Sequence, residues 1–408
     1  MKILINPINL FILSLIFLSH EASSQAQTTL VAPLNKDTKT SLYTITLNSN
    51  ERHVIDLSAP FSWHHCPSHR PTTVECFSTE CIQATYLPMP SCSPSHTTTK
   101  LPSSPCTCMV TPINPITKSC ASSQLTSTNL TISRANPTAK INFTNIYLSC
   151  APSSLFGSLP KSVSGLASLS LAPLSLPSQF ATSFPGVIIS RKFAICLPSE
   201  NSVNGVVFFG DGPYDLRATK MIDVLTLLSY TPLLRNPKSA DYFIGIKALS
   251  INRNYSISMS PYEGIKLSAV VPYTTLRTDI FEKFLDFFTK AVNGIPVSKK
   301  IKPFSACYKA SAIGYSRFGL NVPNIDLEFD NGEKWTIHGA NSMKRVGGDL
   351  ACFAFLDGGE SPEHSIVIGS FQMEDNLLVF DLDQSTLGFS SSLYPQGVTC
   401  GDFKVTSK

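Results

Sequence analysis

The residues best suited to chemistry lie close together in the first part of the chain. Asp56 follows an apolar run that begins at Val54, and His64, His65 and Cys66 come within the next ten residues. A carboxylate that acts as a general base on water needs an acidic partner, and a second carboxylate sharing one proton can supply it. A Cys beside a His can form a thiolate–imidazole pair with a nucleophilic sulfur. The chemistry therefore depends on a second carboxylate elsewhere and on the redox state of Cys66.

The cysteine count argues against a thiolate nucleophile. The chain holds 12 cysteines, an even number, and all of them follow the apolar N-terminal segment. In an oxidising compartment such a set forms disulfides, up to six here. Cys106 and Cys108 have C-x-C spacing and no C-x-x-C pair occurs, so the zinc interpretation is weak. No G-x-S-x-G elbow or H-E-x-x-H motif is present, and we expect neither a metal nor a cofactor.

The N-terminal segment predicts export from the cell. Lys2 precedes an apolar run at 10–18, and small or polar residues follow it. This pattern is typical of a secretory signal peptide, which we place at residues 1–26, because the apolar run is too short for a membrane anchor. Three N-x-S/T sequons are present, at Asn129, Asn142 and Asn254. They fit a secreted, extracellular glycoprotein of the apoplast or cell wall.

Length and charge limit the class of protein. A chain of 408 residues can bury a large core and should form two domains, which we place at 27–220 and 221–408. The net charge of +4, with 15% charged residues, excludes a strongly basic nucleic-acid-binding protein. No later apolar run approaches the ~20 residues that cross a bilayer. We therefore expect neither a nucleic-acid nor a membrane partner.

Short strands dominate the secondary structure that the sequence predicts. Apolar and polar residues alternate over 28–60, and short apolar runs recur to the C-terminus. Residues 66–120 are rich in Ser, Thr and Pro and carry seven cysteines, so we expect a surface excursion held by disulfides. The clearest helix is at 279–292, where Asp279 and Glu282 predict a capping box. The pattern predicts an all-β architecture with two lobes.

Several segments together resemble one known family. After the strand ending at Asp56, Trp63 follows, and later segments are YTPLL at 230–234, YFIGI at 242–246, VPNIDL at 322–327, IVIG at 366–369 and VFDL at 379–382. This set resembles the plant pepsin-fold group that includes xylanase inhibitors, extracellular dermal glycoprotein and basic 7S globulin. The resemblance covers nearly all of the mature chain and includes the 12 cysteines. It implies the bilobal fold of pepsin-like aspartic proteases, with a few short helices.

The resemblance also implies that catalysis is lost. Active pepsin-like enzymes carry Asp-Thr/Ser-Gly in each lobe, whereas Leu57 and Ser58 follow Asp56 here. In the second lobe we place Val271 at the position of the second Asp, and Val271 cannot ionise. The Tyr-bearing flap of active relatives corresponds to residues 121–125, which contain no Tyr. We therefore expect a pseudo-protease in which Asp56 is a relic, and an active endopeptidase is the weakest alternative.

In the relatives that inhibit, loops of the C-terminal lobe enter the cleft of a glycoside hydrolase. The resemblance implies that Arg317 would face the hydrolase carboxylates, and that Phe318 and Tyr394 would be apolar anchors. Gln396 stands where a second Arg is expected. The implied partners are secreted microbial glycoside hydrolases of the xylanase or xyloglucanase type, in plant defence. The alternative is a 7S-globulin-like binding or storage glycoprotein that inhibits nothing.

Within this resemblance we predict three disulfides. They are Cys66–Cys150 in the first lobe, Cys196–Cys400 at the C-terminus and Cys307–Cys352 in the second lobe. Six further cysteines allow 15 pairings, which the sequence leaves open; they are Cys76, Cys81, Cys92, Cys106, Cys108 and Cys120.

Overall fold

The computed structural model describes residues 28–66, 72–87, 106–135, 139–182, 189–214 and 222–403. Within these ranges it contains 28 strands and six short helices, so the predicted all-β, pepsin-like architecture is confirmed. None of these helices combines the length and the apolarity that a membrane crossing requires. The predicted signal peptide, residues 1–26, and Cys92 lie outside the described residues.

The first half of the chain contributes eleven strands to the described structure. They are β1 Leu30–Lys36, β2 Tyr43–Leu47, β3 Glu51–Asp56, β4 Ser62–His65, β5 Thr72–Thr73, β6 Met109–Val110, β7 Ser123–Arg134, β8 Lys140–Ala151, β9 Val163–Ser168, β10 Lys192–Cys196 and β11 Gly205–Phe209. Two helices accompany them, α1 Thr79–Thr85 and α2 Leu176–Thr182, with a 3-10 turn at Ser153–Phe156.

The second half contributes the remaining strands. They are β12 Ser229–Leu234, β13 Phe243–Ile244, β14 Ala248–Ile251, β15 Tyr255–Ser258, β16 Ile265–Leu267, β17 Thr274–Leu276, β18 Cys307–Lys309, β19 Tyr315–Ser316, β20 Gly319–Leu320, β21 Ile325–Glu328, β22 Lys334–Ile337, β23 Met343–Gly347, β24 Leu350–Phe353, β25 Phe355–Asp357, β26 Ile366–Ile368, β27 Leu377–Asp381 and β28 Thr386–Phe389. The helices are α3 Thr278–Ala291, α4 Ala310–Ile313, α5 Gly339–Ser342 and α6 Ser370–Met373; 3-10 turns lie at Val224–Leu227, Tyr394–Gln396 and Cys400–Asp402.

One antiparallel sheet joins the two halves in the order β1–β11–β10–β27–β28–β12. At its centre β10 pairs with β27, with Ala194 opposite Val379. All five residues of β11 are buried, which explains its unbroken apolar run, because both faces of that strand are covered. Phe193 stacks on Phe380 at 4.6 Å between ring centroids, which ties the halves together through their cores. The division at 220/221 stays a prediction.

The two halves repeat one local arrangement of three strands. In the first half β3 runs parallel to β9, and β4 runs antiparallel to the same strand. In the second half β16 runs parallel to β26, and β17 runs antiparallel to it. In both halves, therefore, the chain leaves one side of a central strand through a loop and returns as a new strand on its other side. The central strands are β9 and β26. This repeat places the end of β3 and the end of β16 in equivalent positions.

The predicted helix near 279–292 is present, but its N-terminus differs from the prediction. Helix α3 spans Thr278–Ala291 and is preceded by Arg277, which has no side-chain capping bond. The capping box of Asp279 and Glu282 is therefore wrong, because Asp279 lies within the first turn. Its carboxylate instead accepts hydrogen bonds from the Arg277 guanidinium, at 2.7 and 3.0 Å. An acidic side chain in the first turn also interacts favourably with the positive end of the helix dipole.

The disulfides include the three pairs expected from the family resemblance. Cys66 is bonded to Cys150, Cys196 to Cys400 and Cys307 to Cys352. Two pairs that the sequence left open are Cys76–Cys106 and Cys81–Cys108, and Cys120 is also disulfide-bonded. Cys66–Cys150 holds the end of β4, and Cys76–Cys106 and Cys81–Cys108 hold the cysteine-rich segment, which has little apolar core of its own.

Candidate functional site

Asp56 ends β3 and is almost completely buried, with 5% of its surface exposed. Its backbone carbonyl accepts a hydrogen bond from the Leu169 amide at 2.8 Å, and its Oδ1 accepts one from the Ser58 amide at 2.9 Å. Burial raises the pKa of Asp56, and the hydrogen bond from Ser58 offsets only part of this effect. The carboxylate is therefore held by its own turn, as expected of a structural Asp.

The loops that follow β3 and β16 are held by equivalent hydrogen bonds. In the first half the Ser168 amide donates to Oγ of Ser62 at 2.9 Å. In the second half the Gly369 amide donates to Oγ1 of Thr274 at 3.1 Å. Ser62 begins β4 and Thr274 begins β17, the strands that return to the sheet. Ser168 ends β9, and Gly369 directly follows β26. Ser62 and Thr274 are thus equivalent, and this fixes the register between the halves.

Ser268, and not Val271, occupies the position equivalent to Asp56. Trp63 pairs with the central strand of the first half as Thr275 does in the second half. Asp56 precedes Trp63 by seven residues, and Ser268 precedes Thr275 by the same number. The assignment of Val271 is therefore corrected, because it lies three residues further into the loop. Ser268 is buried and carries a hydroxyl, which does not ionise as a carboxylate does.

Two charged groups of the second half influence Asp56, and they are already paired with each other. Asp241 and Lys266 form an ion pair at 2.9 Å, and both charges influence the pKa of Asp56. Burial raises the pKa of Asp241, but the Lys266 ammonium and hydrogen bonds from Ser239 and Ser58 together lower it by more, so the net shift is downward. Asp241 also accepts a hydrogen bond from the Ser239 hydroxyl. This arrangement keeps Asp241 ionised and does not provide the shared proton of an acid–base dyad.

The turn that lies near Asp56 is earlier in the chain than expected. The residues 121–125 lead into β7 and do not form a hairpin tip. The tight turn spans 114–119, where the Asn114 amide donates to the Ser119 carbonyl at 2.8 Å. Lys118 in this turn is close enough to Asp56 for its charge to lower the pKa of that carboxyl. The turn at 114–119 contains no Tyr. The lack of a flap Tyr expected from the sequence therefore still holds, but the turn lies at 114–119 and not at 121–125.

The histidine–cysteine pair cannot act as a thiolate–imidazole pair. Cys66 is bonded to Cys150, so its sulfur is neither a thiolate nor a nucleophile. His65 is exposed and its Nε2 lies 3.0 Å from the Ser153 hydroxyl. Burial lowers the pKa of His64, which keeps this ring neutral. Within the described ranges, no three His, Cys, Asp or Glu side chains are grouped in a way that could hold a metal.

The two loops predicted to contact a partner lie on one surface. Arg317 is exposed in the β19–β20 hairpin, with its guanidinium carbon 5.1 Å from the Phe318 ring centroid. The Phe318 ring packs on His338, with 4.4 Å between ring centroids. His338 in turn lines a pocket of about 210 Å³ together with Gln396. His338, which the sequence did not single out, therefore connects the two loops.

Tyr394 and Gln396 are oriented differently within their 3-10 turn. The Tyr394 hydroxyl lies 2.9 Å from the Ser199 hydroxyl of the first half, and its ring is half-buried. Gln396 is exposed at the opening of the pocket, next to Pro395. Tyr394 therefore positions the loop, while Gln396 is the accessible residue.

The three sequon asparagines are all exposed. Asn129 lies at an irregularity in the pairing of β7 with β8, and Asn142 lies in β8. Asn254 lies in the tight turn between β14 and β15. Each side chain is therefore accessible to glycosylation in the folded protein.

Comparison with known proteins assigns the family. The family described as Xylanase inhibitor N-terminal matches residues 40–211, and Xylanase inhibitor C-terminal matches residues 241–391. Gamma conglutin 1 of Prunus dulcis is 36% identical over 391 residues, which cover 92% of this chain and 89% of that protein. The chain belongs to the xylanase-inhibitor family of pepsin-fold proteins.

Solved structures agree with this family. The crystal structure of edgp has a TM-score of 0.82 and 31% identity, and it covers 93% of this chain and 99% of its own. The basic 7S globulin of soybean has a TM-score of 0.78 and 28% identity, covering 92% and 98%.

Sequence reasoning missed two residues that matter in this member of the xylanase-inhibitor family. Ser268 carried no signal of its own, because the equivalence of Trp63 with Thr275, from which it is counted, appears only in the strand pairing. His338 carried no signal, because its role comes from contacts with Phe318 and with the pocket of Gln396, which are distant in sequence.

Proposed function

We propose that this chain is a secreted pepsin-fold protein without peptidase activity that inhibits glycoside hydrolases of the xylanase or xyloglucanase type. The observation that carries the proposal is the convergence of the Arg317 hairpin and the Gln396 turn on His338. Two loops far apart in sequence thus form one accessible surface on the second half. A partner bound there would contact both loops at once.

The absence of peptidase chemistry is supported by the position equivalent to Asp56. Pepsin-type hydrolysis needs two carboxylates that share a proton around a water. Ser268 supplies a hydroxyl there, and the other nearby carboxylate, Asp241, is neutralised by Lys266. Asp56 alone can neither hold nor activate the water in that way.

Charge and shape support a hydrolase cleft as the target of the surface. The catalytic centre of most glycoside hydrolases carries two Asp or Glu side chains, and a guanidinium can bind a carboxylate through two parallel hydrogen bonds. Arg317 is exposed, and it takes part in no ion pair found among the described residues. The Phe318 ring beneath it is itself supported by His338, which limits the freedom of the hairpin. Gln396, exposed at the pocket that His338 also lines, offers an uncharged amide.

Extracellular location and glycosylation are part of the same proposal. The N-terminal signal pattern, the disulfides and the exposed sequon asparagines are all consistent with passage through an oxidising secretory route. A secreted protein of this kind would meet microbial cell-wall hydrolases in the apoplast. Inhibition there is the defence role that we propose.

The test is an inhibition titration against a panel of secreted fungal xylanases and xyloglucanases. Truncating an Arg paired with a buried carboxylate typically costs ~2–5 kcal/mol, so Arg317→Ala should weaken inhibition by at least roughly 30-fold. Arg52→Ala, which removes an exposed arginine from the first half, is the matched control and should leave inhibition unchanged. Gln396→Arg should strengthen inhibition of a xyloglucanase-type target, because it adds a second cation to the surface.

The second candidate is a binding or storage glycoprotein of the 7S-globulin type. The similarity to the basic 7S globulin of soybean favours it. No inhibition of any enzyme on the panel at micromolar protein would support this candidate over the inhibitor. Equal inhibition by the parent and by Arg317→Ala would instead retain an inhibitor and refute the assigned surface.

A further inference from the structure

The positive charge of the chain is concentrated in one segment. Residues 287–325 contain five Lys, one Arg and no Asp or Glu. The chain carries a net charge of +4, so all other residues together carry a net charge of −2. Because the excess positive charge is confined to one segment, the electrostatic potential near that segment is more positive than the net charge of the whole chain suggests.

Folding brings four of these cations onto one surface, the lysine surface, formed by Lys299, Lys300, Lys302 and Lys309. The loop that carries the first three is tied to β18, because the Ser298 amide donates to the Cys307 carbonyl at 2.8 Å. The Lys309 amide donates back to the Pro296 carbonyl at 3.2 Å. The loop therefore runs beside the strand that ends at Lys309, and their side chains share one edge of the second half.

The cations of the lysine surface are exposed and take part in no ion pair among the described residues. One carboxylate is near: hydrogen bonds from Ser311 and the charges of Lys309 and Arg345 lower the pKa of Asp349. Arg345 is also exposed and adds a further cation beside this edge. Several unpaired cations against one acid leave a strong positive potential.

The composition of the lysine surface suits a flexible polymer better than a folded protein. Protein interfaces are enriched in aromatic residues and Arg and depleted in Lys. Within residues 296–309 the exposed large apolar side chain is Val297, whereas both aromatic residues, Phe304 and Tyr308, are buried. Lysine ammonium groups are mobile and strongly hydrated, and they bind a polyanion mainly by releasing its counterions.

We propose that the lysine surface binds a linear acidic polysaccharide that carries one carboxylate on each sugar, of the polygalacturonate type. Such a chain matches unpaired, spaced cations with spaced anions and needs no pocket. The choice of an extracellular polymer rests on the proposed secretion, but the binding itself does not depend on enzyme inhibition. The protein would be retained on acidic wall polymers through a surface separate from Arg317.

The experiment is binding of the secreted full chain to polygalacturonic acid at low salt. The triple variant Lys299→Gln, Lys300→Gln, Lys302→Gln should weaken binding at least about tenfold, and binding by the parent should fall as salt rises. The matched control is the triple variant Lys39→Gln, Lys161→Gln, Lys238→Gln, which removes the same number of exposed, unpaired charges elsewhere. It should bind as the parent does. Thermal unfolding of both variants checks that they fold.

The possible results separate the proposal from its alternatives. Equal weakening in both triple variants would show a net-charge effect and overturn the proposal. So would absence of parent binding to polygalacturonic acid, or equal binding to fully methyl-esterified pectin, which lacks the charge. Tighter binding to polyglutamate or to duplex DNA than to polygalacturonic acid would refute the polysaccharide assignment. Hydrolase inhibition should be the same in all three proteins, so failure here is distinct from failure of the inhibitor proposal.

Discussion

Replacement of Ser268 by Asp tests the equivalence with Asp56 directly. Ser268 is 2% exposed, so Ser268→Asp would bury a second carboxylate in the arrangement that already buries Asp56. Burial and a nearby like charge both disfavour the ionised form and raise the pKa of the new carboxyl. We expect the new carboxyl to be neutral in the folded protein at mildly acidic pH and costly to ionise above it.

The magnitude follows from the pKa difference between the folded and unfolded chain. An unfolded Asp has a pKa of ~3.9, and burial of this degree raises it by roughly 3 units. Each unit corresponds to ~1.36 kcal/mol, so the loss of folding free energy at pH 7 is ~4 kcal/mol. Because the folded pKa is raised, the loss is absent below about pH 4 and grows as pH rises towards 7.

The assay is urea unfolding of the parent and variants at pH 4 and at pH 7. Ser268→Asn is the uncharged control and should show the same change from pH 4 to pH 7 as the parent. Val271→Asp is the second control: Val271 is only half-buried, so its new carboxyl should have a smaller pKa shift and a weaker pH dependence. Equal pH dependence of Ser268→Asp and Ser268→Asn would refute the reasoning, as would a stronger pH dependence for Val271→Asp.

Further predictions concern the buried charges and the proposed lack of catalysis. Lys36 and Glu374 form a buried ion pair at 2.6 Å, so Lys36→Met should lower the free energy of unfolding by ~3–5 kcal/mol, measured in urea at pH 7, and the double variant with Glu374→Gln should lose less. Burial lowers the pKa of His53 to about 4, so the unfolded chain binds a proton first and stability should fall by ~3 kcal/mol between pH 6.5 and 4; His53→Gln should flatten this dependence, and an unchanged slope would contradict it. The purified protein should not cleave casein or haemoglobin between pH 2 and 6, whereas cleavage blocked by pepstatin would show an active dyad.

The family and the fold class could be predicted from local patterns. Alternation of apolar residues needs only the two-residue period of a strand, and motifs such as YTPLL and IVIG are continuous in sequence. The apolar stripe of α3 was also predictable, because its spacing of three to four residues is the local period of a helix. Its N-terminus was not, because the Arg277 side chain and the chain path before Thr278 decide which residue enters the helix first.

The candidate site shows where local reasoning stops. The sequence placed Asp56 correctly at the end of a strand, because the preceding residues suffice to define that strand. It placed the counterpart of Asp56 at Val271, because the residues of the loop do not themselves show how the loop aligns with the first half. Pairing with β26 supplied that alignment, since backbone hydrogen bonds allow only one alignment of Thr275 against Val367.

The sequence by itself determined the features that depend only on neighbouring residues. These are the strands, the single Asp56 turn, the cysteine set and the acid-free segment 287–325. What only the tertiary structure decided is everything that depends on contacts between distant segments. Those contacts make Ser268 the counterpart of Asp56, pair Asp241 with Lys266, and join Phe318 to the Gln396 turn through His338. The physical reason is that hydrogen-bond register and ring packing act through space, and chain spacing constrains them only weakly.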